Sequence, residues 1–155
     1  MLLDHDVNVE DSQMAILRGR FTMALIVAVS EATDVARLRS QLDTAAAELE
    51  LDALTVHEVA EVPAATAEPT HLVTIYGADH PGIVHAAAAA LADAGCNITD
   101  LNTRLAGEGD GDLYVLLLEA AVPEGSAAAL ESALDAVGGA EQLEVSVREL
   151  DQDAL

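Results

Sequence analysis

The sequence predicts an α+β fold of two ferredoxin-like βαββαβ units in tandem, the first of which lacks its opening strand and helix. Three observations support this prediction. After residue 70, short β-rich segments alternate with two apolar stripes at helical spacing. The later part of the same order recurs between residues 8 and 56. A stretch that contains two prolines separates the copies. We expect antiparallel sheets that carry their helices on one face.

The proline-containing stretch sets the expected domain boundaries. Residues 63–70 show no apolar periodicity and hold both prolines, which predicts a linker. Residues 1–62 then form an incomplete unit with the order β-β-α-β. Residues 71–150 form a complete unit, and residues 151–155 form a tail.

The complete unit opens with a strand and a helix. Residues 71–76 (HLVTIY) are rich in β-forming residues and predict the first strand. Residues 77–82 predict a turn, and Pro81 is expected at the first helical position, with Asp79 or His80 near the cap. Gly95 is expected to end the helix. The apolar stripe of this helix is Ile83, Ala87, Ala90, Leu91 and Ala94.

A hairpin, a helix and a last strand complete the unit. Residues 98–105 and 113–120 predict two strands, joined by a glycine-rich hairpin turn at residues 107–111. Gly138 and Gly139 are expected to end the second helix. The stripe of that helix is Leu130, Ala133, Leu134 and Val137, and the last strand alternates at Leu143, Val145 and Val147.

The first copy repeats the second from its hairpin onward. Residues 8–11 (NVED) match residues 97–100 (NITD), 89 positions later. A second hairpin strand is expected at residues 21–29, and a closing strand is expected around Leu54 and Val56. The helix between them has its stripe at Val35, Leu38, Leu42, Ala45 and Leu49.

Only seven residues precede Asn8, too few for a strand and a helix. A sheet that lacks its first strand leaves backbone groups unpaired, which is costly where they are buried. Two explanations stay open. Either the missing half is encoded upstream, which we favour, or another chain completes the first copy.

Charge excludes some classes of partner. The chain carries 28 acidic and 6 basic residues, for a formal net charge of −22, and it contains no lysine. Nucleic acid binding requires a basic surface, so we expect neither direct nucleic acid binding nor docking on an anionic membrane. The charges are spread along the chain, which favours a solvated surface over an acidic interaction site. This composition resembles that of proteins from extreme halophiles.

The sequence shows no signature of catalysis or of metal binding. Cys96 is the single cysteine, so no intrachain disulfide forms, and the role of a small buried hydrophobic residue is favoured over that of a nucleophile. The five histidines lack metal-ligand spacing. We therefore expect no catalytic residue, no metal and no cofactor. Residues 1–6 lack the basic region of a signal peptide, and the apolar runs are too short to span a bilayer, so we expect a cytoplasmic protein.

Two short motifs carry a family resemblance. Residues 76–84 (YGADHPGIV) followed by residues 94–98 (AGCNI) resemble the ACT domain. Together with residues 8–12 (NVEDS), the tandem arrangement resembles the glycine cleavage system transcriptional repressor family. The resemblance implies a small-molecule site. Its ligand-binding residues would be Asp79, His80, Pro81, Gly82, Ile83, Asn97 and Ile98.

The chemistry of these residues suits a ligand-binding site. Gly82 lets the backbone approach a ligand, and the helix N-terminus favours a carboxylate. Asp79 would hold an ammonium group, while Asn97 offers both a donor and an acceptor. Each residue also has a structural alternative. In these alternatives, Asp79 only caps the helix, Pro81 and Gly82 only determine the fold, and Asn97 only stabilises the turn into its strand.

The resemblance implies a non-enzymatic regulatory protein that binds a small amino acid such as glycine or serine. It would act through a protein partner, either a transcription factor that controls glycine cleavage or another protein. The alternatives are a detached regulatory subunit of an amino-acid-metabolising enzyme and a ligand-free dimerisation module. A homodimer is expected, because residues 23–29 and 113–118 are apolar on both sides of their strands.

Overall fold

The computed structural model describes residues 2–59, 67–106 and 113–150. The chain divides into two compact units, residues 1–62 and 63–155. The first unit contains β1 (Asn8–Leu17), β2 (Arg20–Ala28) and α1 (Val35–Glu48). The second unit contains β3 (His71–Ala78), α2 (Ile83–Asp93), β4 (Asn97–Ala106), β5 (Leu113–Ala121), α3 (Ala127–Glu141) and β6 (Glu144–Glu149).

The second unit is a complete βαββαβ fold. Its four strands lie in the order β4-β5-β3-β6, and every neighbouring pair is antiparallel. The predicted α+β class and the predicted order of elements are confirmed. The predicted turn at residues 107–111 lies outside the described residues, although β4 and β5 pair up to its two ends, at Ala106 and Leu113.

The core of the second unit lies between one face of the sheet and the two helices. On that face, Val73 pairs with Leu118 and Ile75 pairs with Leu116. All four side chains are fully buried. Burial of each such side chain contributes about 1.5–3 kcal/mol. The helices cover them with Ile83, Ala87, Leu91, Leu130 and Leu134.

The end of α2 follows the prediction closely. Gly95 adopts a left-handed φ of 72° just after the C-cap Ala94. The N–H of Cys96 donates to the Leu91 carbonyl at 2.9 Å, and the N–H of Gly95 donates to the Ala92 carbonyl at 2.9 Å. This pair of bonds is a Schellman motif, which satisfies carbonyls at the helix end.

The prediction that Gly138 and Gly139 end the second helix is wrong. α3 continues to Glu141, and Gln142 forms the left-handed cap with a φ of 57°. Gly138 is glycine because β6 passes very close to it. A Cβ at this position would lie 2.9 Å from the Leu143 carbonyl oxygen and 3.0 Å from the Val145 side chain. The glycine thus serves helix–strand packing.

The first unit repeats the hairpin of the second in detail. β1 and β2 pair from Leu17 and Arg20 outward through a two-residue turn. The two turn residues, Arg18 and Gly19, both have positive φ, as in a type I′ turn. β1 is bulged between Val9 and Asp11, and β4 is bulged at the equivalent place. Ahead of β1, the described residues form a short 3-10 helix, Leu3–His5.

The predicted closing strand around Leu54 and Val56 is wrong. The described residues 53–59 form neither helix nor strand. The second unit supplies the reason, because its last strand β6 pairs only with the first strand β3. The first unit has no counterpart of β3 among its described residues, so the alternating sequence has no neighbour to pair with. α1 does form as predicted, with Asp34 as its N-cap accepting from the Arg37 N–H at 3.0 Å.

The two glycines of α3 provide a matched test of this packing. Gly138→Ala should lower the free energy of unfolding by about 1–3 kcal/mol, because the new Cβ collides with β6. Gly139→Ala meets nothing within 4 Å and should leave stability unchanged or raise it by about 0.5–1 kcal/mol through helix propensity. Urea unfolding of both variants in concentrated salt measures the difference. Equal effects of the two substitutions would contradict the packing role of Gly138.

Candidate functional site

The turn that follows β3 forms the start of the candidate site. Gly82 is the N-cap of α2 and has a left-handed φ of 112°. The first intrahelical bond runs from the Ala86 N–H to the Gly82 carbonyl at 2.9 Å, so the helix begins at Ile83. The prediction of Pro81 at the first helical position is therefore wrong, since it lies two residues before Ile83. The chain changes direction at Gly82 and not at Pro81.

The expected side-chain cap is also wrong. Neither Asp79 nor His80 occupies the cap, and the N-cap makes no side-chain hydrogen bond to the helix. The N–H groups of Ile83, Val84 and His85 precede the hydrogen-bond ladder of the helix. They add to the positive end of the helix dipole, which favours an anion. The alternative that Asp79 serves only as a cap is removed.

Gly82 is required by its backbone conformation and not by lack of space. A Cβ built on it meets nothing within 4 Å, but a φ of 112° is strained for any residue with a side chain. Gly82 is exposed, as are Asp79 and Pro81. The turn is therefore exposed on its glycine side, while the first helical residue, Ile83, is buried.

His80 and Ile83 have structural contacts that limit their roles. The Nε2 of His80 donates to the Glu141 carbonyl at 3.2 Å, and its Nδ1 lies 3.8 Å from a Glu141 carboxylate oxygen. These contacts hold the turn against the end of α3. The side chain of Ile83 lies in the core, with 2% of its surface exposed. Ile83 is thus a core residue that offers a ligand almost no accessible surface.

Asn97 and Ile98 lie at the other end of the sheet. Asn97 pairs with Ala121, at the end of β5 that lies beside the start of β3. The turn follows Ala78, at the opposite end of β3. The two ends are separated by the 11 residues of α2, a length of about 16 Å. Within one unit, the structure groups the five turn residues but does not bring Asn97 or Ile98 to them.

Asn97 and Ile98 differ in exposure. Asn97 is exposed at the start of β4, whereas Ile98 is half-buried and packs against the core. The bulge that follows Ile98 is stabilised by the Thr99 hydroxyl, which donates to the Glu119 carbonyl at 3.1 Å. Asn97 therefore lies exposed at the start of a bulged strand, in register with Ala121.

One polar pair was not predicted from the sequence. The Tyr76 hydroxyl donates to a Glu144 carboxylate oxygen at 2.5 Å. The two residues are register partners on β3 and β6, on the face of the sheet away from the helices. The hydrogen bond to Glu144 raises the pKa of Tyr76, and the charge of Glu144 and burial add to the effect. The contact depends on strand register, which the sequence pattern does not fix.

The described residues hold no group of three His, Cys, Asp or Glu side chains that could bind a metal ion. Cys96 is half-buried, and burial raises the pKa of its thiol. A raised pKa disfavours the reactive thiolate. Over the same described ranges, no helix is long and apolar enough to cross a membrane.

Comparison with known proteins places both units in one family. One ACT domain model matches residues 71–135, and a second ACT domain model matches residues 1–56. A UPF0237 protein from Methanopyrus kandleri is 39% identical over 59 residues. That match covers 37% of this chain and 66% of the relative, so just under two thirds of the relative's length is spanned.

Two crystal structures resemble nearly the whole chain. One is an unknown protein from Galdieria sulphuraria, with 27% identity and a TM-score of 0.75. The other is provisionally described as a glycine cleavage system transcriptional repressor, with 17% identity and a TM-score of 0.65. Each comparison covers 97% of this chain and 86% of the other. At 17% identity the second likeness concerns the fold alone.

The pair formed by Tyr76 and Glu144 yields a pH prediction. Because the folded chain favours the protonated phenol, this contribution to stability is present below pH 10 and is lost as the pH rises through the raised pKa of Tyr76. In a Tyr114→Phe background, which leaves Tyr76 as the single tyrosine, absorbance titration should give a midpoint above 10.0. Adding Glu144→Gln should move the midpoint back toward 10.0. A midpoint that does not respond to this substitution would show that Glu144 is not the cause.

Proposed function

We propose that this chain, which belongs to the ACT-domain family and carries two ACT domains in tandem, is a non-enzymatic regulatory protein that binds a small amino acid. One observation carries the proposal. α2 starts from a left-handed glycine without a side-chain cap, directly after an exposed carboxylate at Asp79. A zwitterion with its two charges close together suits this arrangement of donor groups and carboxylate.

Each part of the ligand has a partner in this turn. The α-carboxylate binds the first N–H groups of α2, where the helix dipole is positive. The α-ammonium pairs with Asp79. The turn is held by His80 against α3, so it is positioned before the ligand arrives. Glycine and serine are the preferred candidates, because a short side chain needs no pocket beyond the turn.

The separation of Asn97 from the turn supports a site shared between two copies. An amide about 16 Å away along α2 cannot reach a ligand held at the turn of the same unit. We therefore assign the second half of the site to Asn97 and Ile98 of a second copy. The outer face of the sheet, where Leu113 and Leu117 are 42% and 37% exposed, offers apolar area for such a homodimer. Ligand binding would then stabilise the dimer.

The regulated partner is proposed to be another protein. The second crystal structure described above is provisionally described as a glycine cleavage system transcriptional repressor. With a net charge of −22, the present chain is poorly suited to touch nucleic acid itself. An indirect effect through a transcription factor, in response to glycine, fits both facts. Recovery of an amino-acid-metabolising enzyme as the specific partner would instead favour a detached regulatory subunit.

Calorimetry tests ligand binding directly. Titration of glycine and of serine into the full chain in concentrated salt should give saturable heat. Asp79→Asn should weaken the affinity by about 10–100-fold, because a charge-assisted hydrogen bond contributes about 1.5–3 kcal/mol. Asp93→Asn, at the far end of the same helix, is the matched control and should bind like the unmodified chain. Absence of heat, or equal affinities of the two variants, would count against this site.

A mixing experiment tests whether two copies share the site. Asp79→Asn and Asn97→Ala should each lose binding when studied alone. In a shared site, mixed dimers retain one intact pair of residues, so equal mixing of the two variants should restore about a quarter of the sites of the unmodified chain. If the site lies within one copy, mixing restores nothing, and the shared arrangement is wrong.

A further inference from the structure

The hairpin of the first unit exposes an apolar surface that is interrupted only at Ser12, the register partner of Leu25. Alternate residues of β1 and β2 face the same side, and the register pairs Met14 with Met23, and Ile16 with Phe21. No ionisable residue belongs to this set, in a chain with 28 acidic residues. We name the set the apolar hairpin face. It comprises Val9, Met14, Ile16, Phe21, Met23, Leu25 and Val27, which are 37% to 66% exposed.

The second unit shows what normally covers such a face. In the two hairpins, the pair Met14–Met23 corresponds to Thr103–Leu116, both counted from the equivalent bulge. Leu25 corresponds in the same way to Leu118. Leu116 and Leu118 are fully buried, in a core that includes α2. The described residues of the first unit contain no counterpart of α2, since α1 follows its hairpin as α3 follows the hairpin of the second unit.

The same comparison identifies a gap for one strand. β5 pairs with both β4 and β3, whereas β2 pairs only with β1 among the described residues. Residues 53–59 correspond to β6, which pairs only with β3. The free edge of β2 and the segment of residues 53–59 therefore lack the same neighbour, a counterpart of β3. Arg20, the first residue of β2, forms a 2.7 Å ion pair with Asp52, which holds the start of residues 53–59 near the start of β2.

We propose that the first unit binds a strand–turn–helix segment in this gap. Its strand lies antiparallel to β2 on one side and to residues 53–59 on the other. Its helix covers the apolar hairpin face. The segment has the chemistry of residues 71–95, namely an alternating apolar strand, a glycine-containing turn and a helix with a small apolar stripe. This function is separate from ligand binding at the turn of the second unit.

Burial of the equivalent elements in the second unit favours a separate segment over a second copy of the chain. The apolar hairpin face comprises seven exposed apolar side chains, and a large exposed apolar patch of this kind marks an interaction site. In a second copy, the strand and helix of this type are not free to bind. Its own strand and helix of this type, including Val73, Ile75 and Leu91, are already fully buried in its second unit. A separate segment meets both edges of the gap without this restriction.

A synthetic peptide with the sequence of residues 70–95 tests the proposal on the full chain. In concentrated salt, the labelled peptide should bind saturably in fluorescence anisotropy and slow amide hydrogen exchange in Arg20–Ala28 at least tenfold. Leu25→Glu, on the apolar hairpin face, should weaken binding at least tenfold. The matched control Leu105→Glu places the same charge on an exposed leucine of β4 and should change little. A scrambled peptide should not bind.

A covalent fusion of the segment to the chain tests the same contact if the free peptide binds too weakly to be detected. Residues 70–96 are grafted in front of Asn8 in place of residues 1–7, which reproduces the junction before Asn97. This chain should bind a hydrophobic dye several-fold less than the unmodified chain and should show the same protection of β2. The proposal is overturned if neither peptide nor graft protects β2. It is also overturned if the unmodified chain already protects β2 in a dimer that Leu25→Glu dissociates. Neither assay contains an amino acid ligand, so each outcome is independent of the proposed regulatory site.

Discussion

β3 pairs with β5 along one edge and with β6 along the other, so the two halves of the second unit's sheet are joined only through it. Its inward side chains, Val73 and Ile75, lie at the centre of the core, and α2 follows it after a short turn. The first unit serves as an internal control. Without a counterpart of β3, its closing segment forms no strand, and only Val7 and Leu38 are buried among its described residues. One strand thus decides whether the remaining elements acquire a common core.

The same strand determines the geometry of the candidate site. The chain leaves β3 at Ala78 and must reverse to run back along the sheet as α2. Gly82 makes this reversal possible through its positive φ, and Gly77 lets Leu143 pack against the strand, because a Cβ there would lie 2.6 Å from the Leu143 side chain. The reversal places the start of α2 at one end of the sheet and the start of β4 at the other. The proposed ligand site, which uses both ends, therefore requires more than one copy of the unit, and under that proposal recognition would be linked to assembly.

Local sequence patterns were sufficient to predict most helices and strands. The predictions that were wrong share one cause. Alternating and helical stripes, the repeat at Asn8 and Asn97, and the stop at Gly95 depend on nearby residues and were predicted. Leu54 and Val56 alternate like a strand, but a strand also needs a neighbour, which no local pattern reveals. Gly138 looks like a helix stop, and its actual use becomes visible only when β6 passes beside it. The pair of Tyr76 and Glu144 depends on register, and the distance between Asn97 and the turn depends on strand order.

The net charge of the chain makes both association and ligand binding depend on salt. Salt has opposite effects on the two. Approach of two copies, each with a net charge of −22, is opposed by repulsion in dilute buffer. Salt relieves this repulsion, since the Debye length falls to about 3 Å at 1 M. The apolar hairpin face carries no charge, so contact there loses nothing to screening. The pairing of an ammonium group with the exposed Asp79 is weakened by the same salt. Salt dependence therefore distinguishes the two kinds of contact: association should strengthen with salt, while the electrostatic part of ligand recognition should weaken.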